Sequence, residues 1–220
     1  STSGHGIRYL TDILWNRLEG VTASQTIDFL FTQSAVDIDR LGAELNALNE
    51  VERIATVRTI NGNMQARLWE AARDRKTTID DLVPADLPPG TEVIHAGKNS
   101  LPVFSSFEKR FCRPSLSAQV LYGYNEGFTR RLIGPGYFVA EYVATRREVG
   151  INYYKVPPPG ASLPVAWPKV QPNEKGLQIL VFAKMVDFMR KISNHVTVGR
   201  AYKHGRETPN YFLLCRREVR

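Results

Sequence analysis

Two neighbouring stretches decide the fold class: Tyr137-Phe138-Val139-Ala140-Glu141-Tyr142-Val143-Ala144-Thr145-Arg146, and Val149-Gly150-Ile151-Asn152-Tyr153-Tyr154-Lys155-Val156. Both are rich in aromatic and β-branched residues, which fit a pleated, half-buried surface. Gly134-Pro135-Gly136 is a turn signal ahead of the first, and residues 147–150 are short enough to close a hairpin between the two. Upstream, residues 117–124 have the same composition. Downstream, residues 195–202 and 211–217 read as two more strands joined by 203–210. Strands linked by short turns pair antiparallel, so these segments predict a curved antiparallel sheet or partial β-barrel.

The flanking segments read differently. Pro157-Pro158-Pro159-Gly160 and the later Pro164, Pro168 and Pro172 exclude a helix interior or central strand and predict an extended connection over the surface or across a mouth of the fold. After it, Asn173 can cap a helix, with Glu174 in the first turn. Leu177, Val181, Met185, Phe188 and Ile192 fall at helical spacing, with Gln178, Lys184, Asp187, Arg190 and Lys191 opposite. The pattern predicts one long amphipathic helix over 174–193.

The N-terminal third also has helical periodicity. Leu10, Ile13, Leu14 and Leu18 form one stripe, and Ile27, Leu30 and Phe31 another. Leu41, Leu45 and Leu48 follow, then Met64, Leu68 and Ala71 or Ala72. Residues 51–60 mix strand-like composition with a helix start at Asn49 and Glu52, and are assigned as helix. The reading is therefore α+β: a helical region over 1–83 docked on the rest, a Pro-rich boundary at 84–90, and a β-rich region over 91–220 carrying the helix.

The chain has 220 residues, 43% hydrophobic and 23% charged, enough for a core without staples. Its two cysteines make no disulfide framework, and a pair of reduced, buried thiols in a cytoplasmic protein is expected. No apolar run is long enough to span a bilayer as a helix. The net charge of +7 is uneven: residues 1–85 hold 9 Lys/Arg against 12 Asp/Glu, and residues 86–220 hold 20 against 10.

No phosphate loop, dinucleotide fingerprint, nucleophile elbow or zinc-protease motif occurs. Neither a metal nor a cofactor is expected. His195 and His204 fall beside neighbouring strands and could approach each other, but lack a third ligand by spacing. The densest chemical segment is Phe104 to Pro114. It reads as a short helix with Phe104, Phe107 and Phe111 on one face, or as Lys109, Arg110 and Arg113 gathered about an anion with Cys112 activated by the cations.

Tyr122, Tyr137, Phe138 and Tyr153 on the sheet, with Phe182 from the helix, are the candidate walls of a pocket. Arg130, Arg131 and Lys109 are the candidate partners of an acidic group. The function expected is binding of a small apolar or amphipathic molecule with an acidic group. A small-molecule enzyme on the same pocket is one alternative, with Glu141, His195 and Tyr153 as acid–base candidates. The other is a nucleic-acid or anionic-surface binding module built on Arg200, Lys203, His204, Arg206, Arg216 and Arg217, with Tyr202, Tyr211 and Phe212 between them.

Overall fold

The structure, a computed structural model, describes residues 23–101, 105–127, 130–174 and 182–219. Eight strands form a closed barrel in which each pairs antiparallel with the next and β1 closes on β8. They are β1 (Val93–Asn99), β2 (Ser106–Cys112), β3 (Val120–Glu126), β4 (Phe138–Val143), β5 (Glu148–Asn152), β6 (Met185–Lys191), β7 (Val196–Lys203) and β8 (Arg206–Arg216). Closure leaves no sheet edge unpaired. An eight-stranded barrel is just wide enough for side chains to fill it or for one small ligand.

Among the described residues, five helices precede the barrel: α1 (Ala23–Thr32), α2 (Ile38–Ala47), α3 (Glu50–Thr59), α4 (Gly62–Ala71) and α5 (Ile79–Leu82). Asn49 and Glu52 form a reciprocal capping box at the start of α3. Asp37 and Asn61 cap α2 and α4 through the backbone N–H groups of Arg40 and Met64. Leu41, Leu45, Leu68 and Trp69 pack against Val196, Val198, Leu213 and Cys215 on the outer face of β7 and β8. The Leu10–Leu18 stripe lies outside the described residues.

Segment α5 closes one end of the barrel. Ile79, Leu82 and Val83 join Val93, Phe111, Leu121, Phe138, Ile151, Met189 and Leu214 in a core that fills the lower lumen. The carbonyl of Leu82 accepts a hydrogen bond from His95 Nε2 at 2.9 Å, and that of Val83 accepts one from Arg113 at 2.8 Å. Opposite the N-terminal helices, the Pro-rich connection lies along the outside of β2, β3 and β4. There Trp167, Val156, Leu163 and Val170 cover Cys112, Tyr124 and Tyr137.

Two expected helices are strands. Residues 185–191 of the supposed 174–193 helix form β6, registered with Ile151 opposite Asp187 on one side and Asp187 opposite Ala201 on the other. Residues 175–181 lie outside the described residues. The helical stripe misled because both faces of β6 are covered. Asp187 and Met189 are buried in the lumen, while Phe188 packs outside against Tyr202 at 4.9 Å between ring centres. A strand apolar on both faces shows no alternation.

The aromatic segment around residue 107 is likewise β2 rather than a short helix. Phe107 and Phe111 are four positions apart, a spacing shared by one helix face and one strand face. The alternation also divides the supposed anion cluster. Lys109 points into the barrel, whereas Arg110 pairs outside with Glu108 at 2.9 Å and Glu92 at 3.3 Å. Arg113 is held by Asp80 at 2.6 Å.

Candidate functional site

Above the filled lumen the barrel opens into a cavity of about 390 Å³. Lys109 from β2, Asn125 from β3, Tyr153 just after β5 and Asp187 from β6 make its floor. Each projects inward because the pleat puts alternate residues on the lumen face. Phe107, Phe182, Met185 and Phe212 form apolar walls, and Glu126 and Arg130 stand at the rim, paired at 2.7 Å.

The floor is an ionic pair in an apolar setting. Lys109 Nζ lies 3.3 Å from Asp187 Oδ2, and the two side chains are 4% and 3% exposed. Lys109 also donates to Asn125 Oδ1 at 2.8 Å and to the Tyr153 hydroxyl, so its three protons all have partners. The Tyr153 hydroxyl in turn lies 3.3 Å from Asp187 Oδ2. Asn125 is oriented by its amide N–H, which donates to the Gly136 carbonyl at 2.9 Å. One atom is left over. Asp187 Oδ1 is buried without a hydrogen-bond partner, which for a carboxylate oxygen is costly.

Four rings surround the ammonium. Its nitrogen sits 5.1 to 5.6 Å from the centres of Tyr153, Phe212, Phe138 and Phe107, in reach of their negative faces. Burial pushes the Lys109 pKa down, opposed by the Asp187 charge. Burial pushes the Asp187 carboxyl up, opposed by Lys109. Burial also raises the Tyr153 phenol well above its ordinary value, so it acts as a neutral donor.

The turn signal before β4 shapes this site. Gly136 has φ +54°, and a Cβ there would meet the Phe182 ring at 2.5 Å. Its bare backbone lets Phe182 lie flat on Tyr153, 5.4 Å between centres at 16°.

Of the expected site residues, Lys109, Arg130, Tyr153 and Phe182 line the cavity. Phe138 faces inward beneath it, packed on Phe111 at 5.1 Å and Tyr153 at 5.5 Å. Tyr122 and Tyr137 are corrections: their alternation turns them outward, Tyr137 against Tyr124 and Trp167 under the Pro-rich connection. Arg131 falls in the short turn α6 (Arg130–Ile133), and its side chain lies outside the described residues.

The acid–base candidates are scattered. Glu141 is on the outer face, paired with Lys155 at 2.8 Å. His195 and His204 flank the two ends of β7, an eight-residue strand, and so do not approach each other. Among the described residues no group of three or more His, Cys, Asp or Glu is placed to hold a metal ion. The alternative in which neighbouring cations activate Cys112 is overturned: it is a free thiol, buried and pushed up to about 12 by that burial and then by Glu92. Cys215 is also free and buried.

Three members of the basic C-terminal cluster are already engaged within the chain. Arg200 pairs with Glu207 at 2.7 Å, Arg217 with Glu108 at 2.8 Å, and Arg216 donates to the carbonyls of Asp81 and Asn194, each at 3.0 Å. Tyr202 and Phe212 are buried.

Sequence reasoning missed Asp187, Asn125, Phe107, Met185 and Phe212 as cavity residues. No local signal marks β6, because Met185, Asp187 and Met189 alternate with Val186 and Phe188, which are apolar as well. Among the described residues no helix is long and apolar enough to cross a membrane. In comparisons with known proteins, the chain matches no family model and no curated sequence.

Proposed function

We propose that the open end of the barrel binds a small, largely apolar or amphipathic molecule that carries an acidic group. The observation that carries this reading is the cavity itself. It is closed below by packed core and α5, walled by Phe107, Phe182, Met185 and Phe212, and polar only at its floor and rim. About 390 Å³ lies within the usual range for sites that engulf a small ligand. The apolar body would lie against Phe182 and Phe212. The acidic end would meet the cations that line the cavity, Arg130 at the rim or Lys109 at the floor. Each is already balanced by a carboxylate, which favours a ligand of at most one negative charge.

The test uses 8-anilinonaphthalene-1-sulfonate, an apolar fluorophore with one acidic group. It should bind at one site per chain with fluorescence enhancement, and keep most of its affinity as salt rises. Ala201 lines the cavity, so Ala201→Trp would fill part of it and should weaken binding at least tenfold while far-ultraviolet dichroism is unchanged. Binding unaffected by Ala201→Trp, or lost steeply with salt, would refute the proposal. The steep salt dependence would point instead to a polyanion surface.

A further inference from the structure

We propose that Lys109 is an amine nucleophile that forms an imine with an aldehyde-bearing apolar molecule, with Asp187 as proton acceptor, proton donor and counter-ion. This deepens the reading of the cavity given above and rests on it. Three observations converge on one nitrogen. Lys109 Nζ is at the floor of an open apolar cavity. A carboxylate oxygen lies 3.3 Å away. The other oxygen of that carboxylate is buried with no partner.

A lysine on a surface is protonated and strongly hydrated, and so a poor nucleophile. Withdrawn from water among apolar groups, its neutral form is favoured. Here burial at the cavity floor does the withdrawing, against the attraction of four aromatic rings for the ammonium. The same rings suit a flat, conjugated body. Phe182, stacked on Tyr153, already presents one parallel face at the site.

The proton balance closes within the pair. Asp187 takes one proton from the Lys109 ammonium, leaving a neutral amine and a neutral acid. The amine lone pair attacks the carbonyl carbon, the C–N bond forms, and the carbonyl π electrons pass to oxygen. After proton transfer from nitrogen to oxygen the intermediate is a neutral carbinolamine. Asp187 returns its proton to the carbinolamine hydroxyl. The C–O bond breaks, water leaves, and the nitrogen lone pair forms the C=N bond. The product is a protonated imine beside a carboxylate, with the same net charge as the starting pair. The open Oδ1 can accept the carbinolamine O–H. The Tyr153 hydroxyl and Asn125, freed from two ammonium protons, can hold the departing water.

The groups facing this pair come from every element around it: Asn125 on β3, Tyr153 after β5, and the Glu126–Arg130 pair at the rim. None is a second amine. Lys98 of β1, Lys155 after β5, Lys191 of β6 and Lys203 of β7 do not line the cavity.

The experiment is reductive trapping. The full chain is incubated at neutral pH with one equivalent of trans-cinnamaldehyde and sodium cyanoborohydride, then weighed intact and as peptides. The expected result is one adduct per chain, heavier by the aldehyde less one oxygen atom, on the peptide carrying Lys109. Lys109→Arg, which keeps the charge but cannot form a reducible imine, should lose it. Asp187→Asn should slow trapping at least tenfold. Without reductant, the wild type should show the red-shifted absorbance of a protonated conjugated imine. If Lys109→Arg fails to fold, the peptide map of the wild type decides alone.

Absence of an adduct on Lys109, or adducts spread over other lysines, would overturn the proposal. Trapping as fast in Asp187→Asn as in the wild type would overturn the role given to Asp187. trans-Cinnamate, which has the same flat body and an acidic group but no aldehyde, separates this failure from failure of the cavity reading. If no adduct forms but cinnamate displaces 8-anilinonaphthalene-1-sulfonate, only the imine falls. If it does not displace it, the cavity reading falls as well.

Discussion

Replacing Lys109 with Met should expose what the floor of the cavity costs. Lys109 and Asp187 are both nearly solvent-free, and among the described residues Lys109 is the cation paired with Asp187. Removing one partner of such a pair strands the other as an uncompensated buried charge, a loss of about 3–5 kcal/mol. The effect must depend on pH. Burial already raises the Asp187 carboxyl, and Lys109 restrains that rise. Without the lysine the folded-state value climbs further above the unfolded value of about 4. Folded protein then holds a proton that unfolded chain releases, so stability falls as pH rises from about 4 to the new folded value. Guanidinium denaturation followed by tryptophan fluorescence should give the full penalty at pH 7 and a much smaller one near pH 4. Adding Asp187→Leu should recover most of the loss, since apolar replacement of a buried pair is often neutral or stabilising. A penalty below about 1 kcal/mol, one equal at both pH values, or a double variant worse than the single would refute the reasoning.

Further consequences concern other parts of the barrel. His95 is buried, and its pKa is depressed to about 3, chiefly by desolvation. Its contribution to stability is therefore complete above about pH 6.5 and lost as pH falls toward 3, a loss of about 5 kcal/mol at the acid end. His95→Gln should flatten that slope in acid titrations. A Cβ at Gly123 would meet Arg110 O at 2.4 Å and the Phe138 ring at 2.3 Å. Because one of those neighbours is backbone, Gly123→Ala should lower the denaturation midpoint by at least the equivalent of about 2 kcal/mol. Arg190 bonds Glu148 and the Trp69 carbonyl and lies 3.7 Å over the Trp69 ring. Arg190→Met should cost about 3 kcal/mol and shift Trp69 emission. Cys112 and Cys215, raised to about 12 and about 11, should resist Ellman's reagent at pH 8 until the chain unfolds.

The sequence disclosed part of this architecture for a definite reason. Strands β3, β4, β5 and β7 are dense in Tyr, Val and Ile, and the second half of β8 in Tyr, Phe and Leu, so local composition located them; the polar first half of β8, Arg206 to Asn210, reads as a connection. β6 and β2 were hidden. Both carry apolar residues at positions that satisfy a helix and a strand alike, and only pairing with neighbours distant in sequence resolves the tie. Met185 to Lys191 is a strand because β5 and β7 flank it. The first strand, Val93–Asn99, carries His95, Gly97 and Lys98, which break up any apolar pattern.

The site was half legible on the same grounds. Lys109, Tyr153 and Phe182, which line the cavity, are conspicuous in the sequence as a cation and as aromatics near turns. Tyr122 and Tyr137 were misplaced, because which face of a strand points inward depends on closure of the barrel. Asp187 was assigned to a solvent face because the wrong period was applied to its segment. The carboxylate that matters most to the cavity was therefore the hardest to see.

Titration of isotope-labelled protein with dodecanoate, followed by amide and methyl NMR at low and high salt, tests the central claim most directly. The account predicts saturable shifts at one ligand per chain, centred on Phe107, Lys109, Tyr153, Met185 and Phe212 and persisting at high salt. Absence of saturable shifts there, or shifts centred on the outward cations Arg200 and Arg206 that vanish with salt, would contradict it.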